Sequence, residues 1–103
     1  MMTLDVALVG AFALFAVGLY SLATSKNMII IVMGVEIMLN GSILALVALS
    51  TGPAGLIDPL AQSLAIMAIA VGGSTTAVGL AFITQAYKHY KTLDARELKR
   101  LKE

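Results

Sequence analysis

Three long stretches of this chain carry almost no charge, and short polar or turn-forming breaks separate them. The first is bracketed by Val6 and Lys26. The second, Asn27 to Ile57, holds a single acid, Glu36, and the third, Pro59 to Tyr87, holds no charge at all. A helix needs about 20 largely apolar residues to cross a hydrocarbon core of roughly 30 Å. All three stretches meet that length. Inside hydrocarbon every backbone N–H and C=O must find its partner within the protein, and helices of this length satisfy that demand internally. The predicted fold class is therefore all-α. It is a three-transmembrane-helix integral membrane protein, with helices over about residues 4–23, 27–50 and 59–87.

Composition supports this and removes other classes. Of 103 residues, 59% are hydrophobic and 13% are charged, against roughly 25% charged in an average soluble domain. Six acids and seven bases cannot cover the large relative surface of a soluble domain this small. The absence of cysteine excludes a disulfide framework, a thiolate zinc site and a cysteine-ligated iron–sulfur cluster on this chain. One histidine, His89, cannot by itself form a haem pair or a histidine-rich metal site. A net charge of +1 and the lack of a Gly-rich phosphate loop argue against nucleic-acid or nucleotide binding. No metal or cofactor is expected on the chain. It is also too short and apolar to hold a catalytic domain outside the bilayer, so any activity lies in the membrane or in a larger assembly.

The breaks carry their own signals. Thr24-Ser25-Lys26-Asn27 is a short polar turn, so the first two helices should be antiparallel neighbours. Thr51-Gly52-Pro53-Ala54-Gly55 stops the second helix. Asp58-Pro59 starts the third, with aspartate as an N-cap and proline at the first helical position; capping outweighs an ion-binding role for Asp58. The first stretch lacks the basic start of a signal peptide and is read as a retained helix.

Basic residues lie in the first loop (Lys26) and after the third helix (Lys88, Lys91, Arg96, Lys99, Arg100, Lys102). The positive-inside rule then predicts the N-terminus outside and the C-terminus in the cytoplasm, in a membrane expected to be a prokaryotic cell membrane. Tyr87 and Tyr90 suit the interfacial belt, and His89 beside them reads as an anchor rather than a proton relay. Residues 1–91 form the membrane domain and 92–103 a cytoplasmic tail. Within the tail, Thr92 to Leu101 reads as a short capped helix, solvated or docked on a partner through Leu98 and Leu101.

Glu36 is the informative residue. Nine residues from Asn27 at about 1.5 Å each place it roughly 14 Å deep, near the middle of its span. A carboxyl group there is costly, so it normally faces protein or water and serves ion movement. Held away from bulk water, such a group can gain and release a proton near neutral pH. The plainer alternative is a protonated glutamate that only hydrogen-bonds a neighbouring helix. Asn40, one turn on, can hold that carboxyl or a water beside it, or serve equally as interhelical glue. Ser42 adds a hydroxyl on an adjacent face. In the third helix, Gly72-Gly73-Ser74-Thr75-Thr76-Ala77 and Gly79 lie at comparable depth. Their small size favours close helix approach, as do Gly34 and Gly41 in the second helix, and Ser74 and Thr75 are candidate relay supports.

Several motifs carry a resemblance. Gly34-Val35-Glu36-Ile37-Met38-Leu39-Asn40-Gly41, with Val17-Gly18-Leu19-Tyr20, Ser25-Lys26-Asn27 and Ala77-Val78-Gly79-Leu80-Ala81, resembles the small K (or 4L) subunit of respiratory complex I over nearly the whole chain. In that family one glutamate in each of helices two and three joins a membrane-embedded proton relay. Glu36 matches the first, whereas alignment on Ala77–Ala81 puts Thr75 in place of the second. Ile57-Asp58-Pro59-Leu60-Ala61-Gln62-Ser63-Leu64 and Ala68-Ile69-Ala70-Val71-Gly72 are similar to the C subunit of Mrp-type sodium/proton antiporters, which lacks the helix-three glutamate. Related modules occur in membrane-bound hydrogenases and sulfur-reducing complexes.

The resemblance implies a non-catalytic, ion-translocating subunit of a redox-linked proton or sodium pump or an Mrp-type antiporter, with Glu36 as the relay carboxylate. Its expected partners are larger antiporter-like membrane subunits, with iron–sulfur clusters in partner subunits only. Two other classes stand beside it. An autonomous small multidrug-type transporter fits poorly with three spans, no tryptophan, and only Phe12, Phe15 and Phe82. A purely structural spacer would use Glu36 as a hydrogen-bond donor.

Overall fold

The computed structural model describes residues 2–52 and 55–96. Three helices follow one another: α1 (Met2–Thr24), α2 (Met28–Leu49) and α3 (Pro59–Tyr90). Each is long and apolar enough to cross a membrane. The layout is that of a lipid-solvated protein. The buried apolar residues of the described chain are Ala11, Ala65 and Ile83, while Phe12 (75% exposed), Leu60 (67%) and Phe82 (72%) stand on the outside. Such a surface is stable only where the surroundings are apolar too.

Side-chain caps hold the helix starts. The Asn27 side chain accepts the Ile29 N–H at 2.9 Å. The Asp58 carboxylate accepts the Leu60 N–H at 2.9 Å with Pro59 in the first turn, the arrangement expected from the sequence. At its other end α3 runs three residues past the expected 87, to Tyr90, and closes on Lys91. That residue takes the left-handed conformation (φ 58) and donates its N–H to the Tyr87 carbonyl at 2.7 Å. His89 and Tyr90 meet edge to face there, 5.4 Å between ring centres.

The α1–α2 pair is built on absent side chains. A Cβ on Gly18 would come within 2.6 Å of the Gly34 carbonyl oxygen. One on Gly41 would come within 2.8 Å of the Ala11 carbonyl oxygen. Ala11 and Gly18 are seven residues apart, as are Gly34 and Gly41. The antiparallel helices therefore meet along one seam of small residues at heptad spacing, where backbones pack almost directly on each other.

The second loop folds back on itself. The Asp58 N–H donates to the Ser50 carbonyl at 2.8 Å and the Gly52 N–H to the Leu56 carbonyl, and Gly55 supplies a φ of +75. Ser50, itself buried, donates its hydroxyl to the Val47 carbonyl and accepts the Gln62 amide N–H at 2.8 Å. This ties the C-terminal end of α2 to the first turn of α3.

At the opposite end the tail forms a clasp that differs from the expected helix. Leu93–Ala95 lies antiparallel to the first loop: the Met28 N–H donates to the Leu93 carbonyl at 2.8 Å and the Ala95 N–H to the Lys26 carbonyl at 2.9 Å. Met28 opens α2, so its N–H has no partner within the helix; the tail supplies one. Pairing keeps Leu93 and Asp94 out of a helix, and the Asp94 carboxylate accepts the Arg96 N–H at 2.8 Å where the chain makes a short turn at Ala95 and Arg96. The remainder of the expected tail helix, with Leu98 and Leu101, lies outside the described residues.

Two predictions follow from this packing. Gly18→Ala forces a methyl group into the α2 backbone and should destabilise the chain by about 1–3 kcal/mol, whereas Gly73→Ala, with nothing within 4 Å of the new methyl, should leave it unchanged. Thermal unfolding of the detergent-solubilised chain measures both. The Asp94 carboxyl is held below the usual carboxylate range, first by the Arg96 amide, whose effect exceeds the opposing desolvation, and then by the Arg96 guanidinium and Lys26. A lowered acid stabilises the fold above its unfolded pKa of about 3.9 and loses that contribution as pH falls through the folded value. Amide exchange at Ala95 and Arg96 should therefore show constant protection at neutral pH and a loss confined to acid below about pH 4. Asp94→Ala should show weakened protection at neutral pH as well.

Candidate functional site

α3 presents α2 with a stripe at three-, four- and seven-residue spacing. Ala65, Ala68, Gly72, Thr76, Ile83 and Ala86 are each more buried than the residues around them. The register against α2 is antiparallel and consistent along its length. Ser50 meets Gln62, Leu39 lies 3.6 Å from where a Cβ on Gly72 would stand, and Glu36 meets Thr76.

Glu36 is the one ionisable side chain of α2, eight residues into the helix and so about 12 Å along it from Met28. It is half-buried. Its Oε2 accepts the Thr76 hydroxyl at 2.7 Å across the helix interface, the separation of a short hydroxyl-to-carboxylate bond. The site is thus a carboxyl group within the span, held from the adjacent helix by a neutral donor.

The other candidates fall around this pair in different ways. Asn40 is exposed, and among the described residues no hydrogen bond joins it to Glu36. Ser42 donates to its own helix, to the Met38 carbonyl at 3.1 Å. Ser74 and Thr75 are exposed. Each residue turns a helix by about 100°, so the step from Thr76 to Thr75 carries a side chain off the α2-facing stripe. Thr75 therefore lies beside the site, and the neighbouring Thr76 hydroxyl enters it. Gly34 and Gly41 lie in the α1–α2 seam and Gly72 against Leu39, whereas Gly73 and Gly79 leave open space where a Cβ would be. Two residues escaped the sequence reading. Thr76 was one hydroxyl in a run of three, and the spacing Ala65, Ala68, Gly72, Thr76 marks it. Gly18 is marked by its heptad relation to Ala11.

Comparison with known proteins agrees with this architecture. Residues 6–103 match the model of the family described as NADH-ubiquinone/plastoquinone oxidoreductase chain 4L. The chain is 36% identical over 98 residues to an NADH-quinone oxidoreductase subunit K of Buchnera aphidicola, covering 95% of each chain. It is 42% identical over 89 residues to a subunit K of Methylacidiphilum infernorum, covering 86% of this chain and 85% of the other. Among solved structures it is similar to a chain of the membrane-bound sulfane sulfur reductase, an archaeal respiratory membrane complex. The TM-score is 0.78 at 31% identity, covering 88% of this chain and 94% of that one. With nearly its whole length matched in sequence and in fold, the chain belongs to the NADH-ubiquinone/plastoquinone oxidoreductase chain 4L family.

Proposed function

We propose that this chain is a non-catalytic, ion-translocating membrane subunit of a multisubunit, redox-linked pump of the complex I type, and that Glu36 is its proton-relay carboxylate. The observation that carries the reading is the single ionisable side chain of α2, half-buried between two spans and bonded to Thr76 from α3. A carboxyl group in a span is costly enough that an ion pathway is the first role to test. The partners in this reading are larger antiporter-like membrane subunits, and any iron–sulfur clusters belong to partner subunits that carry the electrons. The basic first loop and tail face the cytoplasm of a prokaryotic cell membrane. The relationship to subunits K and to a chain of the sulfane sulfur reductase complex supports such an assembly.

The test uses the assembled complex in inverted membrane vesicles, energised by its own electron donor. Glu36→Gln keeps the size and hydrogen-bonding capacity of the side chain and removes the exchangeable proton. Proton movement per electron should fall by about a hundredfold, the usual weight of a positioned proton-transfer group, while the complex still assembles. Unchanged proton movement would make Glu36 a structural hydrogen-bonding group and the chain a spacer. Mass spectrometry of proteins retained by the tagged chain in mild detergent checks the assembly. Antiporter-like and iron–sulfur subunits are expected, antiporter subunits alone indicate an Mrp-type exchanger, and a homo-oligomer indicates an autonomous transporter.

A further inference from the structure

Three helical hydroxyls of this chain turn back on their own backbone. Thr24 donates to the Tyr20 carbonyl at 2.8 Å, Ser42 to Met38 at 3.1 Å and Thr84 to Leu80 at 2.9 Å, each four residues earlier. That is the ordinary resting bond of Ser and Thr in a helix. Thr76 differs from these three and sends its hydroxyl across the interface to Glu36 Oε2. Threonine in a helix divides between two side-chain rotamers because its hydroxyl has this backbone alternative. For Thr76 the alternative acceptor is the carbonyl of Gly72, on the same α2-facing stripe.

We propose that Thr76 is the positioning residue of the Glu36 site and works as a two-position hydroxyl. While Glu36 is ionised, the Thr76 O–H donates to the carboxylate and holds it toward α3. When Glu36 takes up a proton its charge is gone, the attraction for the hydroxyl weakens, and Thr76 turns back to the Gly72 carbonyl. The carboxyl group is then free to swing away and deliver its proton elsewhere. Thr76 keeps its own proton throughout: the only O–H bond made or broken is the one on Glu36. A hydroxyl suits this task because it carries no charge of its own and is satisfied in either position. A second carboxylate at Thr76 would add a titrating charge instead. The inference rests on Glu36 being the relay group.

The experiment compares Glu36→Gln, Thr76→Val and Thr76→Ser in the assembled complex reconstituted in vesicles. It reads proton movement per electron, together with the infrared carboxyl band that Glu36→Gln abolishes and so assigns to Glu36. Valine keeps the branched shape without the hydroxyl, and serine keeps the hydroxyl without the methyl group. Thr76→Val should shift the Glu36 band and lower proton movement per electron about tenfold, the weight of one hydrogen bond to a charged group, with electron transfer retained. Thr76→Ser should restore both readouts. A Thr76→Val complex that pumps normally, or a Thr76→Ser complex as impaired as the valine variant, overturns the proposal. If the valine variant does not assemble, Thr76→Ala, which adds no bulk, is held to the same two outcomes. Normal pumping in Glu36→Gln removes the relay reading itself, whereas normal pumping in Thr76→Val beside a defective Glu36→Gln removes only the role of Thr76.

Discussion

Lipid tails are as apolar as leucine, so burying an apolar side chain between two helices in a bilayer brings no hydrophobic gain. Everything that holds this chain together must come from close packing or from polar groups that hydrocarbon cannot satisfy. The two interfaces divide these resources between them. α1 and α2 share a seam from which side chains have been removed, with Gly18 on Gly34 and Ala11 on Gly41. Their backbones approach closely along that seam, which makes the pair one stiff unit. α3 joins α2 through two polar bonds about four turns apart along α2, Thr76 to Glu36 and Gln62 to Ser50. The contact between Glu36 and Thr76 thus lies on the interface held by hydrogen bonds, away from the one held by steric fit.

Closure at the two ends makes that division workable. The second loop pins the start of α3 to the end of α2 through Ser50 and Asp58. The tail pins the other end through Leu93 and Ala95 against Lys26 and Met28. With both ends held, α3 keeps its register on α2, and Thr76 stays level with Glu36 even if the bond between them is lost. Local rearrangement of one hydroxyl then needs no sliding of the helix.

Much of this was legible in the sequence because hydrocarbon imposes few and severe rules. The three charge-poor runs dictated the helices, Asp58-Pro59 the start of α3, and the isolated Glu36 the candidate site. What the sequence left hidden was rotation about a helix axis and the pairing of segments far apart. Matching Ala77–Ala81 to the family motif brings Thr75 to the place of a glutamate. Which hydroxyl meets Glu36, however, depends on the face that α3 turns to α2, and one residue changes that by about 100°. The clasp was hidden for a different reason. Thr92 to Leu101 has the composition of a capped helix, and it is the Lys26 carbonyl together with the unpaired N–H of Met28 that gives this segment a reason to stay extended. That N–H becomes visible as a demand only when the backbone groups of the first loop are accounted for one by one.

The polar residues around the site bear on how the chain is used. Thr24, Ser42 and Thr84 can sit at a lipid surface without cost because each spends its proton on its own helix. Asn40 is different. Its amide carries two donors and an acceptor, it is exposed one turn beyond Glu36, and one backbone bond would not satisfy it. Leaving such a group against hydrocarbon costs several kcal/mol, more than the marginal stability of a small bundle can spare. Gly73 and Gly79, whose surroundings are open, offer the close approach that a further helix requires. An exposed amide on α2 and bare glycines on α3 therefore point the same way as the proposed assembly. Covered by a neighbouring subunit or by confined water, Asn40 would extend the polar line that begins at Thr76 and Glu36 by one turn of α2.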